Sequence, residues 1–70
     1  MVKIRAYQKG QLAQMYYPWC GYRQALANFK RDLERATELM DTLRRTGWDD
    51  RNRVLTPLQV RFIFDALGEP

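Results

Sequence analysis

The stretch QLAQMYYPWCGYRQALANFKRDLE, residues 11–34, decides the fold. It contains two amphipathic patterns separated by a short aromatic break, YYPWCGY at 16–22. On the first side, Leu12, Ala13, Met15 and Tyr16 recur at helical spacing, which predicts a helix from Gln8 to about Tyr17. Pro18 ends it, because proline restricts the residue before it and cannot continue the hydrogen-bond ladder. Pro18 to Gly21 is then a turn. On the second side, Tyr22, Leu26, Phe29 and Leu33 follow one buried face with Ala25 beside them, predicting a helix from Tyr22 to Glu34. Arg23, Gln24, Ala27, Lys30 and Arg31 fall on the opposite, solvent side.

Working outward, Ala36, Leu39, Met40 and Leu43 continue the apolar stripe. One long helix to Arg45 would fit this stripe, but its roughly 24 residues would span about 36 Å, long for so small a chain. A break near Arg35 to Thr37 is expected instead, with Thr37 capping a third helix and Gly47 closing it beyond Arg44 and Arg45. The clearest local signal is TPLQ at 56–59. Thr56 reads as an N-cap, Pro57 as the first helical residue and Gln59 as the partner in a capping box. The last helix therefore runs from Pro57 to Leu67 and stops at Gly68, with Val60, Ile63, Phe64 and Leu67 facing the core. Leu58 and Phe62 point elsewhere, one turn apart, either wrapped by the thin core or available to a partner. VKIRAY at 2–7 alternates Val2, Ile4 and Ala6 against Lys3, Arg5 and Tyr7, as a half-buried strand does, and RVL at 53–55 is the only other segment of strand character. The expected fold is mostly α: one compact four-helix, helix-turn-helix-like domain over residues 1–70, with a minor two-stranded β element.

Seventy residues bury only about 60% of the surface the unfolded chain exposes, leaving no room for a large catalytic cleft. The chain has no histidine and one cysteine, so it lacks the commonest general base, the commonest metal ligand and any zinc ligand set. No glycine-rich phosphate loop is present, and the sequence reads as non-enzymatic, with no cofactor, metal or small-molecule substrate. One cysteine, no apolar leader in MVKIRAYQKG and no membrane-length apolar run point to a soluble cytoplasmic protein without a membrane role. PWCG at 18–21 is superficially similar to the redox motif of thioredoxin-like proteins. Without a second cysteine two residues on, Cys20 is a small apolar filler. Asp49 and Asp50 lack companions for catalysis or metal binding and read as an exposed loop.

The net charge of +4 is unevenly placed. Residues 1–31 hold Lys3, Arg5, Lys9, Arg23, Lys30 and Arg31 and no acid, whereas residues 32–70 hold six basic and eight acidic side chains. A helix entering a DNA major groove needs what the second helix exposes: arginine and lysine for phosphates and guanine edges, glutamine and asparagine for adenine, and small residues for clearance. The leading expectation is a DNA-binding or DNA-associated accessory protein that contacts double-stranded DNA through Arg23, Gln24, Lys30 and Arg31, with Lys3, Arg5 and Lys9 adding phosphate contacts. Two packed helices with a basic outer face also occur in many helical proteins. The alternative is a protein-interaction module, homodimeric or with another partner, using Tyr17, Trp19, Leu58 and Phe62.

Tyr7, Lys9, Leu12 with Ala13, Tyr16 or Tyr17, Ala25, Leu33, Leu39, Leu43, Gly47 and above all the ending TPLQVRFIFDALGEP at 56–70 form a near full-length pattern. In these residues the chain resembles a family of small bacterial, Bacteroidetes-type proteins catalogued as a domain of unknown function (number four-two-four-eight). Asp32 stands where the family usually has tryptophan, Thr37 where it has proline and Trp48 where it has tyrosine. A proline at position 37 would start a helix, in keeping with the expected break. The resemblance implies a compact helix-turn-helix-like fold and a bacterial cytoplasmic setting, and no substrate or catalytic residues.

Overall fold

The computed structural model describes residues 3–49 and 51–70. In chain order it contains β1 (Tyr7–Gln8), α1 (Lys9–Tyr16), α2 (Tyr22–Arg35), α3 (Thr37–Arg45), β2 (Val54–Leu55) and α4 (Pro57–Leu67). The four helices and the two-stranded ribbon are those the sequence announces.

The aromatic break is held from within α1. Tyr17 N–H still reaches Ala13 O, Cys20 N–H reaches Tyr17 O, and the Gln14 side-chain amide donates to Cys20 O at 2.6 Å. Glutamine reaches around the turn where Pro18 has ended the ladder. α1 then packs chiefly against α2, and Ala13, fully buried, lets the two backbones approach. α2 buries Ala25, Phe29 and Leu33. Tyr22, expected on that buried face, is 59% exposed. It occupies the first turn, at the edge of the contact with α1, and its ring lies over Gly10, where an added β-carbon would overlap it.

The helix break falls at Ala36, within the expected stretch, but the cap lies one residue earlier than Thr37. Ala36, at φ −87 and ψ 76, leaves the helical region and serves as the boundary, so Thr37 is the first residue of α3 and caps nothing. The end of α3 follows the glycine signal closely. Gly47 sits at φ +90, Trp48 N–H donates to Leu43 O and Gly47 N–H to Arg44 O, the paired bonds of a Schellman motif. Apart from its chain neighbours, no atom of the described residues lies within 4 Å of a β-carbon placed there. Gly47→Ala is therefore expected to cost only the left-handed backbone penalty, about 1–2 kcal/mol, read as a lower midpoint in thermal unfolding.

Tyr7 pairs with Leu55 and Gln8 with Val54 in antiparallel register, and Lys9 N–H to Arg53 O at 2.7 Å continues the ladder into α1. The ribbon corrects the sequence reading of residues 2–7. Ile4 is 52% exposed and Ala6 is exposed, while Tyr7 is 4% exposed; Val2 lies outside the described residues. Among the described residues of that segment only Tyr7 finds a strand partner, so the Tyr7–Leu55 pair, not the alternation before it, chooses the inward face. Tyrosine tolerates this burial because its hydroxyl donates to Lys3 O at 2.7 Å.

α4 carries both halves of the capping box. Gln59 N–H donates to Thr56 Oγ1 at 3.2 Å, and Thr56 N–H to Gln59 Oε1 at 3.0 Å. Val60, Ile63 and Phe64 complete a core formed with Tyr7, Leu12, Phe29, Leu33, Leu43 and Leu55. Phe62, read as pointing away, is half-buried and packs against this core. Leu58, half a turn from the buried stripe, is 51% exposed.

Candidate nucleic-acid interface

α2 is anchored on one side by α1 and leaves Arg23, Gln24, Ala27, Lys30 and Arg31 exposed on the other. At about 100° per residue, Arg23, Ala27 and Arg31 form one line along the helix. Gln24, Asn28 and Arg35 form the next. Within this surface, Gln24 Nε2 donates to Asn28 Oδ1 at 3.0 Å, and the Arg31 guanidinium donates to the same oxygen. These exposed i, i+4 and i, i+3 bonds orient the side chains at little energetic cost to release.

The amino-terminal cations are placed differently. Lys3 and Arg5 are exposed ahead of β1, and the Arg5 guanidinium lies 3.9 Å from the centre of the Tyr7 ring while donating to Ala6 O. Lys9 is half-buried at the start of α1, its ammonium 4.5 Å from the Trp48 ring centre. The sequence-derived cations thus do not share one face. Lys9 and Lys30 instead meet on a groove of about 960 Å³ between α2 and a wall formed by Trp48 and residues 51–54. Arg51 and Arg53, both exposed, line the same groove and were not singled out from sequence. Only the ribbon register, which brings residue 53 to residue 9, places them there. Trp48 closes one side, and its buried indole Nε1 has no acceptor among the described residues.

The proposed partner residues separate into two patches. Tyr17 and Trp19 stand on the turn after α1, rings 5.7 Å apart and edge-on, with Trp19 77% exposed. Leu58 lies at the start of α4, beside the ribbon. Because Tyr16 Oη donates to Gly68 O, α1 and α4 end together, and Leu58 lies about 15 Å back along the helix from that end. Cys20 is half-buried and accepts a weak bond from Asn28 Nδ2 at 3.7 Å. Asp49 accepts from Arg51 N–H and Asn52 N–H in a turn of its own, as an exposed loop residue does; Asp50 lies outside the described residues. Among the described residues no group of three or more His, Cys, Asp or Glu could hold a metal ion, and no helix is long and apolar enough to cross a membrane.

The aromatic turn carries a pH signature. Burial first, then the Glu69 charge, pushes Tyr16 up to about 12, and the Tyr17 hydroxyl, donating to the Asp32 carboxylate, is also raised. Unfolded tyrosines titrate near 10. The folded state therefore holds these protons more tightly; the Tyr16 contribution is full below pH 10 and is lost as pH rises toward about 12, and that of Tyr17 is lost in the same direction. Alkaline unfolding should begin in that window and flatten in Tyr16→Phe, as measured by circular dichroism against pH.

The fold and this surface define a small helical domain built on a helix–turn–helix pair closed by a ribbon and a capped terminal helix. Residues 3–70 match the family described as a domain of unknown function (DUF4248), and the chain belongs to that family. No curated protein and no solved structure matches it.

Proposed function

We propose that this is a non-enzymatic DNA-binding or DNA-associated accessory protein of the bacterial cytoplasm, with α2 as the element that enters the major groove. The observation that carries this reading is the line Arg23–Ala27–Arg31, exposed along a helix whose opposite face is fixed against α1. Two guanidiniums flank a residue small enough to let the backbone approach base edges, with Gln24 and Asn28 on the adjacent line. Lys30, Lys3, Arg5 and Lys9 supply phosphate contacts that fix orientation rather than sequence.

Fluorescence anisotropy with duplex DNA at low salt tests it. Arg23→Ala combined with Lys30→Ala should weaken binding by about tenfold or more, at about 1 kcal/mol per contact, with an unchanged circular dichroism spectrum. Absence of binding at low salt contradicts the proposal.

The exposure of Trp19 supports a second reading, a protein-interaction surface at the turn. That reading requires a mass above the monomer by light scattering, or a partner lost on Trp19→Ala. A monomer without a partner contradicts it.

A further inference from the structure

We propose that the groove between α2 and the wall of Trp48 and residues 51–54 docks an acidic, leucine-bearing peptide segment of a partner protein. Its floor is apolar: Phe29, Leu33 and Met40 lie at its base, with half-buried Leu26 above them. Val54, 54% exposed, continues this apolar surface onto the opposite wall. The rim is cationic. Lys30 projects from α2, Arg51 and Arg53 from the facing segment, and Lys9 stands beside Trp48, whereas Glu34 is the one carboxylate among the described lining residues. An occupant must therefore bring apolar side chains for the floor and negative charge for the rim. The groove's volume of about 960 Å³ lies at the upper end of the range for small-ligand sites, consistent with several peptide side chains.

A nucleic-acid strand meets the charge requirement but not the rest. Single strands gain affinity by stacking bases on open aromatic faces. Here the Lys9 ammonium covers a face of Trp48 and the Tyr22 ring is laid against Gly10, while the floor between them is largely aliphatic. An acidic segment with leucines fits both features, in the manner of peptides that place apolar anchors in a groove and charges at its edge. The site shares Ala27 and Lys30 with the DNA-facing side of α2 but includes neither Arg23 nor Arg31, so Arg51 and Arg53 are the residues that separate the two readings.

The test is a nitrogen–proton NMR titration of the full chain with peptides of about 12 residues. One carries leucine at every third or fourth position and glutamate elsewhere, a second replaces glutamate by lysine, a third replaces leucine by serine, and a fourth ligand is oligothymidylate. The two tryptophans report separately, Trp48 from the groove and Trp19 from the turn. The leucine–glutamate peptide should move the Trp48 indole signal and the Lys30 and Arg53 amides while leaving Trp19 in place. Its affinity should fall by about tenfold in the double variant Arg51→Ala, Arg53→Ala, whose exposed side chains leave the fold intact. The lysine and serine peptides should bind more weakly. Equal binding of all three peptides, or no movement at Trp48, overturns the proposal. Movement of the groove signals by oligothymidylate in preference to the acidic peptide reassigns the groove to nucleic acid, and concentration-dependent movement without any ligand reassigns it to a second copy; either result also overturns it.

Discussion

Phe29→Ala should leave most of the protein unfolded at room temperature, or lower its melting midpoint by more than about 12 °C in circular dichroism. Phe29 is 1% exposed, stacks on Tyr16 with ring centres 5.7 Å apart, and sits where α1 meets α2. Truncating a buried phenylalanine costs about 3–5 kcal/mol, as a transfer loss plus a cavity. A chain of 70 residues has a total stability of about 4–10 kcal/mol at typical values per residue, so one side chain removes much of it. In a domain of this size each 1 kcal/mol moves the midpoint by about 4–8 °C. Phe29→Leu should retain the fold at a loss of about 1–2 kcal/mol. Equal midpoints for wild type and Phe29→Ala would mean that the α1–α2 contact is not the core described above.

Gln59→Ala is expected to cost about 2–4 kcal/mol, more than an ordinary helix cap, because Gln59 does two jobs from a buried position (1% exposed). Its Oε1 accepts from Thr56 N–H, and its Nε2 donates to Thr46 Oγ1 at 3.1 Å. Thr46 in turn donates to Leu43 O at 2.6 Å. The start of α4 is thereby tied to the end of α3. Gln59→Glu separates the two roles. It keeps an acceptor for the Thr56 amide and loses the donor to Thr46 while burying a charge. The variant should be destabilised at neutral pH. With its folded-state pKa raised by burial, it should regain part of the loss as pH falls through that raised value, the recovery ending below about 4.3, where the carboxyl also protonates in the unfolded state. Denaturant titrations of both variants at neutral and acid pH measure this directly.

These two residues show what sequence could and could not reveal. The capping box at Thr56 and Gln59 was fully legible, because it depends on residues three apart. The bond from Gln59 to Thr46 was not, since it joins two helices across thirteen positions. Phe29, Leu33 and Ala25 were legible as the α2 core by their spacing. The same spacing wrongly included Tyr22, because periodicity does not reveal where the neighbouring helix ends. The alternation in residues 2–7 was misread for a related reason. Strand pairing, not alternation alone, chooses the inward side, and only Tyr7 and Gln8 are paired. On the proposed DNA-facing surface, Arg23, Gln24 and Arg31 were readable as exposed. The grouping of Lys9, Lys30, Arg51 and Arg53 was hidden, because it arises from a ribbon two residues long that brings distant cations to one groove.

The assignment of α2 to DNA is tested most directly by the salt dependence of duplex binding. Contacts from Arg23, Lys30 and Arg31, with some from Lys3, Arg5 and Lys9, predict that the logarithm of the association constant falls linearly with the logarithm of salt concentration. The slope should be about −3 to −5, becoming shallower by about one for each phosphate contact removed by substitution. No binding at low salt, or an affinity indifferent to salt, would contradict the account.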